Sequence, residues 1–160
     1  MQASLRAENL SLKVYDCYRP QRAVLSFVAW AREKDAAPAT RRFFPKFRKD
    51  QLVPLGYIAE QSSHPRGVAV DLTLVDAQGQ ELVMPTPFDD FGEKAHRSYQ
   101  QLPPLAIQNR TTLEQAMAKA GFVGMPTEWW HFDFARWQGY PLDDIPFDVL
   151  AEPPKKSAQP

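Results

Sequence analysis

Cysteine is almost absent from this sequence, since Cys17 is the single one among 160 residues. One thiol excludes an internal disulfide and any cysteine-rich zinc cluster. Histidine is also scarce, with three in the chain. A catalytic metal, if the protein uses one, must therefore be held by histidine and carboxylate side chains, which are common zinc ligands.

The sequence also lacks a net charge, because nineteen Lys and Arg residues offset nineteen Asp and Glu residues. Without a net field the chain has no general attraction for nucleic acid or an anionic membrane, so partners of these classes are not expected. No apolar run approaches the ~18 residues of a transmembrane helix. The N-terminus lacks the continuous apolar stretch of a secretory signal. The length suits one domain with one hydrophobic core.

The N-terminal part of the chain predicts a helix, a strand and a second helix. Residues 2–9 look like the end of a helix without a start signal ahead of them, and residues 10–18 have the aromatic and aliphatic composition of a strand. Pro20 suits the first turn of a helix over about 20–33. The predicted core face of this helix is Val24, Phe27, Val28 and Ala31. Residues 34–56 carry charges and three prolines and are interpreted as a surface loop.

The clearest strand in the sequence covers residues 68–74. Successive side chains of a strand point to opposite faces of the sheet. The apolar side chains of residues 68–74 are expected to face the core, and the side chains between them, which include the carboxylate of Asp71, are expected to face the other way. The apolar set consists of Val68, Val70, Leu72 and Leu74. The strand therefore predicts one buried face and one face available for chemistry.

The second half of the chain predicts fewer elements. After a turn, residues 81–84 are expected to return as a hairpin partner. Residues 85–109 contain four prolines and are expected to be mostly loop. A helix is predicted at about 112–120, because Thr111 and Glu114 have the spacing of a capping box. Its predicted buried stripe is Leu113, Ala116, Met117 and Ala120.

Residues 128–134 are dense in strand-favouring aromatics and predict the last strand. With the helices, these strands predict an α+β fold, in which helices pack on a small, mainly antiparallel sheet. We expect a single domain over residues 1–150. Residues 151–160 have little to bury and are expected to form a disordered tail.

One group of residues on the predicted strands suits a catalytic zinc ion, which needs three protein ligands and one open position. His64 lies in a polar loop just before the strand that presents Asp71, and Gly67 lets the backbone turn between them. His131, on a strand expected to be a neighbour, can supply the third ligand. Glu128 is then placed to take a proton from water.

Each of these residues also has an ordinary structural interpretation. A lone histidine beside a strand is usually a hydrogen-bonded structural residue. Asp71 could pair with Arg66 or cap a turn, and Trp129 and Trp130 suit a core. Composition and spacing alone leave both interpretations open.

Glu128 and His131 raise a local difficulty, because residues three apart on a regular strand point to opposite faces. Either Glu128 lies before the strand, just after Pro126 and Thr127, or the strand is bulged there. We favour the first arrangement.

Three separated motifs resemble, in the same order, those of the bacterial D-alanyl-D-alanine dipeptidases (VanX-like). Ser-x-His-x-x-Gly-x-Ala-x-Asp at residues 62–71 resembles the first zinc motif of this family, and Glu-Trp-Trp-His at 128–131 resembles the second. Asp-x-Tyr-Arg-Pro at 16–20 is similar to the segment with the family's substrate-side arginine. The similarity runs from about residue 10 to 142. Several motifs in one order are more specific than any single motif.

The resemblance implies that His64, Asp71 and His131 bind one Zn²⁺ per chain, in a cleft on the sheet, and that Glu128 is the general base. Arg19 is expected to stabilise the oxyanion of the tetrahedral intermediate with a charge-assisted hydrogen bond.

Ser62 and Asp89 match positions that contact the dipeptide in the family, and a carboxylate at Asp89 suits a free ammonium terminus. Both residue types also suit turns and caps. Cys17 shares a strand face with Arg19 and is a less favoured fourth ligand. His96 matches a family position that is not a ligand and is interpreted as a loop histidine.

The function that the resemblance implies is zinc-dependent hydrolysis of D-Ala-D-Ala or a similar dipeptide of D-residues, in the cytoplasm or periplasm of a bacterium. A D,D-carboxypeptidase that acts on peptidoglycan stem peptides is one alternative. A zinc-binding or peptide-binding module without catalysis is another.

The sequence departs from the family at its start, because the family has a sizeable segment before the helix in which Met1 falls. We expect a shortened domain with apolar area exposed near residues 5–15. Such a domain would be less stable than an extended form, or would self-associate through that surface.

Overall fold

The computed structural model describes residues 1–33 and 38–150 of the chain. Its centre is a four-stranded antiparallel sheet with the strand order β1-β2-β4-β3. The strands are β1 (Ser11–Asp16), β2 (Ala69–Val75), β3 (Phe122–Gly124) and β4 (His131–Phe134). The predicted α+β fold with a small antiparallel sheet is confirmed. The predicted tail at 151–160 lies outside the described residues.

Helices precede, connect and follow these strands. They are α1 (Gln2–Arg6), α2 (Gln21–Arg32), α3 (Pro38–Arg41), α4 (Pro104–Ala118) and α5 (Phe147–Leu150). The helices predicted at 2–9 and 20–33 are confirmed as α1 and α2. The predicted start of the later helix is wrong, because α4 begins at Pro104, where a proline suits a first helical turn. Thr111 does not cap it: its hydroxyl donates to the Ile107 carbonyl oxygen, 2.8 Å away, inside the helix.

β2 is paired on both edges and carries the main hydrophobic core. Leu72 and Leu74 are 1% and 0% exposed. They cluster with buried residues of α4 and β4, among them Leu113, Met117 and Phe132. Leu72 and Leu74 face the core as predicted, and Asp71 lines a cavity on the other side of the strand. The expectation that this other side is open is wrong as a whole, because Ala69 and Thr73 on it are 5% and 0% exposed.

The face predicted for α2 is confirmed except at one position. Val24, Val28 and Ala31 are buried. Phe27 is 46% exposed and lines the cavity instead, with the Arg19 guanidinium 5.1 Å from its ring centroid.

The interpretation of residues 34–56 as a surface loop is wrong for its second half. Phe44 and Leu52 are 2% and 0% exposed, and with Tyr57 they form a second hydrophobic cluster, against which Trp30 packs. The charged residues that suggested a loop lie beside this cluster. Lys49 is buried, but its ammonium pairs with Glu33 at 3.0 Å and lies over the Trp30 ring at 4.4 Å.

Two further expectations need correction. Residues 81–84 do not form a hairpin strand, and only a single bridge joins Val75 to Glu81. The pairing with β2 ends at Leu82, whose N–H donates to the Leu74 carbonyl oxygen at 3.0 Å. The next carbonyl group, that of Val83, instead accepts a hydrogen bond from the Asn109 side chain of α4 at 2.9 Å. The apolar surface expected to be exposed near residues 5–15 is found only in part: Val14 is 54% exposed, but Leu5 is 2% exposed and belongs to the core.

No helix in the described part of the chain is both long enough and apolar enough to cross a membrane.

Candidate active site

Three predicted ligands meet where β2 and β4 pair. Asp71 lies directly opposite His131 in the antiparallel register, so both side chains point to the same face. His64 comes from a 3-10 turn (His64–Arg66) that ends at Gly67, whose φ of 64° glycine adopts without strain. All three side chains are buried, and one possible ligand atom of each lies within 4.8 Å of the others.

A backbone carbonyl determines which nitrogen His64 presents. Nδ1 lies 2.5 Å from the carbonyl oxygen of Cys17, which can only accept, so Nδ1 is the donor. Nε2 then faces Asp71, with 3.4 Å between Nε2 and Oδ2. In a neutral His64 both of these atoms are acceptors, and a cation bound between them would satisfy both.

Asp133 orients His131 in the same way. His131 Nδ1 lies 2.9 Å from Asp71 Oδ1, while Nε2 lies 3.0 Å from Asp133 Oδ1. The Ser63 hydroxyl also donates to Asp133. A carboxylate behind a histidine is typical of metal sites. Asp133 was not among the predicted site residues, although alternation along the predicted strand places it on the same face as His131.

The hydrogen bonds among the histidines and carboxylates of this site determine which of them are ionised. Burial alone raises the pKa of Asp71, but hydrogen bonds from His131 and His64 lower it well below its usual range. Burial lowers the pKa of His131, but its hydrogen bonds with Asp133 and Asp71 overcome this and raise the pKa well above its usual range. The group therefore keeps its carboxylates ionised and stabilises positive charge.

Glu128 lies before β4, as expected, in the turn that leads into the strand. It is 7% exposed and lines the same cavity as the three predicted ligands. Burial raises the pKa of Glu128 to about 8; His131 opposes this rise, and Asp71 and Asp89 add to it. A carboxyl group that titrates near neutral pH can both accept and release a proton there.

Arg97 holds the segment that carries Glu128. Its guanidinium donates to three backbone carbonyl groups at 2.9–3.0 Å, those of Met125, Trp129 and His131. Gly124 leaves room for it, because a Cβ at that position would lie 2.2 Å from Arg97 Cζ. Burial lowers the pKa of Arg97 to about 10, so the side chain stays charged at neutral pH. No motif in the sequence indicated this residue.

Arg19 also lines the cavity, just beyond the end of β1. Its Nε lies 3.1 Å from Asp16 Oδ2, and its backbone N–H donates to the His64 carbonyl oxygen at 3.5 Å. These contacts tie the position of Arg19 to that of His64.

The two predicted substrate-binding residues line the cavity as well. The Ser62 hydroxyl oxygen accepts a hydrogen bond from the His64 N–H at 3.3 Å. Asp89 has a φ of 61°, a left-handed conformation that costs energy and that Asp tolerates better than most residues. Burial raises the pKa of Asp89 to about 6, and the charge of Asp71 adds to the rise. Their roles toward a substrate remain predictions.

Cys17 and His96 contribute no ligand atom to the group. The Cys17 thiol is exposed, and the residue takes part through its carbonyl oxygen. His96 follows a 3-10 turn (Glu93–Ala95), and its Nε2 lies 3.0 Å from the Tyr57 hydroxyl. This position agrees with the interpretation of His96 as a loop histidine.

The whole arrangement opens into one cavity of about 560 Å³. Two imidazole nitrogens and one carboxylate are a common ligand set of catalytic zinc sites, and the buried trio His64, Asp71 and His131 fits it. A buried carboxyl group beside such a trio, in one cavity on an antiparallel sheet, is an arrangement that suits a metallopeptidase.

The comparisons with known proteins identify the family. A family model described as D-ala-D-ala dipeptidase matches residues 1–149, and the chain belongs to this family. A D-alanyl-D-alanine dipeptidase of Enterococcus faecium is 34% identical over 143 residues, which are 89% of this chain and 70% of that protein. One of Escherichia coli is 37% identical over 144 residues, 90% of this chain and 65% of that protein.

A third relative of the same name, from Enterococcus faecalis, is 36% identical over 122 residues, 76% of this chain and 60% of that protein. The chain thus spans 60–70% of the length of these curated relatives.

Proposed function

We propose that this protein is a zinc-dependent dipeptidase that hydrolyses D-alanyl-D-alanine or a similar dipeptide of D-residues. The proposal is carried by one observation: the buried trio of His64, Asp71 and His131 shares a cavity with the buried carboxyl group of Glu128. The shared name of the relatives, D-alanyl-D-alanine dipeptidase, supports it.

His64 Nε2, Asp71 and His131 Nδ1 would hold the zinc ion, because the opposite ring nitrogens are engaged by the Cys17 carbonyl and by Asp133. When bound, zinc supplies a Lewis acid that polarises the scissile carbonyl group and lowers the pKa of water. Two neutral imidazoles and one carboxylate leave a net charge of about +1, which favours this chemistry.

Glu128 would transfer the protons. Its carboxylate accepts a proton from the attacking water molecule, and the resulting carboxyl group passes that proton to the departing amine nitrogen. The group must hold the proton between the two transfers. The raised pKa of Glu128, about 8 because of burial, suits that requirement.

Arg19, Asp89 and Ser62 would bind and polarise the substrate. The guanidinium of Arg19 donates hydrogen bonds to the carbonyl oxygen, and these strengthen as negative charge develops there. The carboxylate of Asp89 pairs with the free ammonium terminus, and the Ser62 hydroxyl lies on the same cavity wall. A site that encloses an ammonium terminus admits dipeptides and excludes longer stem peptides, which favours a dipeptidase over a D,D-carboxypeptidase.

Glu128→Gln tests the proposed mechanism. The amide keeps the shape of the side chain but cannot accept a proton, so the variant should retain its zinc and lose kcat by ~10² or more. Metal analysis and kinetics on the same preparation measure both quantities. The exposed Glu8→Gln variant is the matched control and should behave as the unmodified protein. Loss of zinc in step with activity would make Glu128 a ligand or a structural residue.

A substrate panel separates the proposed function from its alternatives. D-Ala-D-Ala should be hydrolysed, L-Ala-L-Ala much more slowly, and a tripeptide that ends in D-Ala-D-Ala hardly at all. Preferential cleavage of the tripeptide would indicate a D,D-carboxypeptidase. Zinc at about one ion per chain without any turnover would indicate a binding module.

A further inference from the structure

The cavity that contains the catalytic group is larger than D-Ala-D-Ala requires. Its volume of about 560 Å³ lies within the range of about 300–1,000 Å³ of sites that enclose drug-sized ligands. D-Ala-D-Ala carries only two methyl side chains and would leave much of this space without contacts. A ligand that leaves part of a cavity empty makes fewer contacts with its wall and is held by less dispersion and hydrophobic stabilisation.

Apolar side chains of the second hydrophobic cluster form the far end of the cavity. They are Trp30, Phe43, Phe44, Tyr57, Ile58 and Phe91. Trp30 and Phe44 meet edge to face with their ring centroids 5.9 Å apart, and Tyr57 stacks on Phe91 at 5.3 Å. The Phe91 N–H also donates to the Phe43 carbonyl oxygen at 2.7 Å. Because the rings hold one another, this wall is formed before any ligand binds.

Polar atoms near this wall already have partners. The Tyr57 hydroxyl lies 3.0 Å from His96 Nε2, and the Ser26 hydroxyl donates to the Arg22 carbonyl oxygen at 2.9 Å. Charged groups of the cavity also have partners: Asp71 pairs with His64 and His131, and Arg19 pairs with Asp16. The far end therefore presents an apolar surface to a ligand.

We propose that the preferred substrates are D-residue dipeptides in which one of the two residues has a large apolar side chain. That side chain, aromatic or branched aliphatic, would lie against Trp30, Phe43 and Tyr57 while the peptide bond lies at the catalytic group. The inference rests on the proposed dipeptidase function and names the substrate class of the same site. Hydrophobic pockets discriminate by about 10–200-fold per methylene group, so the preference should be large enough to measure.

Steady-state kinetics on the zinc-loaded protein test this inference. The substrates are D-Ala-D-Ala, D-Ala-D-Phe and D-Phe-D-Ala. At least one of the two phenylalanine dipeptides should exceed D-Ala-D-Ala in kcat/KM by about tenfold or more. Both orders are needed, because either side chain of the dipeptide can be the one that occupies the apolar end.

Two variants test the location of the preference. Ala59 is exposed at the cavity wall, and Ala59→Trp should fill part of the apolar end and lower the ratio of phenylalanine to alanine dipeptide turnover about tenfold. Phe43→Ala removes part of the aromatic wall and should lower the same ratio. This second variant keeps the test decisive if Ala59→Trp fails to fold. Leu55→Trp, an equally bulky change at an exposed residue outside the cavity lining, should leave the ratio unchanged.

Normal turnover of D-Ala-D-Ala with no gain for either phenylalanine dipeptide would overturn this inference and leave the proposed function standing. An unchanged ratio in both cavity variants would also overturn it. If none of the three dipeptides is hydrolysed, the proposed function fails. Calorimetric binding of the same dipeptides then decides the inference separately: equal affinities would reject it, and tighter binding of a phenylalanine dipeptide would support it.

Discussion

The two ends of the cavity are built in different ways. At the catalytic end, Asp71 and His131 lie opposite each other on neighbouring strands, and backbone hydrogen bonds of the sheet set their separation. At the aromatic end, the walls come from α2 and from residues 43–58, where the structure has only short helical turns such as Lys49–Gln51. Side-chain packing, rather than a hydrogen-bonded ladder, holds that end together.

This difference follows from what each end has to do. Ligand atoms must be held within a fraction of an ångström, and strands in a sheet provide such positions. A pocket for an apolar side chain needs volume and hydrophobicity, which tolerate substitution if the volume is kept. Changes at the catalytic end should therefore abolish the reaction, whereas changes at the aromatic end should alter substrate choice and stability.

The largest effect is expected from His131→Ala, which removes one of the three proposed ligands. Zinc content should fall from about one ion per chain to a small fraction, and hydrolysis should become undetectable. His96→Ala is the matched control, because His96 lies outside the trio and its removal should leave the zinc content unchanged. A folded His131→Ala protein with undiminished zinc would show that the metal binds elsewhere.

Arg19→Lys should have the next largest effect. Lysine keeps the charge but lacks the planar fork of donors, so kcat should fall by roughly 10², while KM changes much less. Arg22→Lys, at an exposed ion pair with Asp144, should leave both constants unchanged. A raised KM with a normal kcat would reassign Arg19 to binding of the ground state.

Asp133→Asn tests whether the hydrogen bond between Asp133 and His131 contributes to zinc binding. The amide weakens the hydrogen bond that orients His131, so zinc affinity should fall about 10–100-fold with a smaller loss of activity at saturating zinc. Competition with a chelator measures the affinity. Asp50→Asn, at an exposed carboxylate paired with Arg48, is the control. Equal affinities in the two variants would mean that His131 is oriented without Asp133.

The smallest effect on chemistry is expected from Leu52→Ala, which opens a cavity in the second hydrophobic cluster. Leu52 is 0% exposed, and such a truncation costs about 2–5 kcal/mol of unfolding free energy. Zinc affinity should nevertheless stay the same, because Leu52 belongs to the second hydrophobic cluster, whereas Leu72 and Phe132 of the strands with the proposed ligands belong to the main core. Urea denaturation with Leu55→Ala as the exposed control measures the cost. A parallel loss of zinc affinity would show that the two ends depend on each other.

The catalytic end could be predicted largely from the sequence because its residues lie in short local patterns. The core face of Leu72 and Leu74 and the position of Glu128 ahead of β4 were both confirmed. The start of α4 was missed because a capping pattern at Thr111 competed with the proline at 104. Arg97 was missed because its three acceptors are backbone carbonyl groups, which carry no residue-type signal.

The sequence by itself determined the kinds of atoms available. With three histidines and one cysteine, a metal site had to combine imidazole and carboxylate, and the order of the motifs indicated which residues these are. The tertiary structure decided where they meet and what surrounds them. It placed Asp71 opposite His131, and it assembled an aromatic wall from Trp30, residues 43–58 and Phe91. Local patterns encode which face of an element is apolar, but the pairing of distant segments depends on packing over the whole chain.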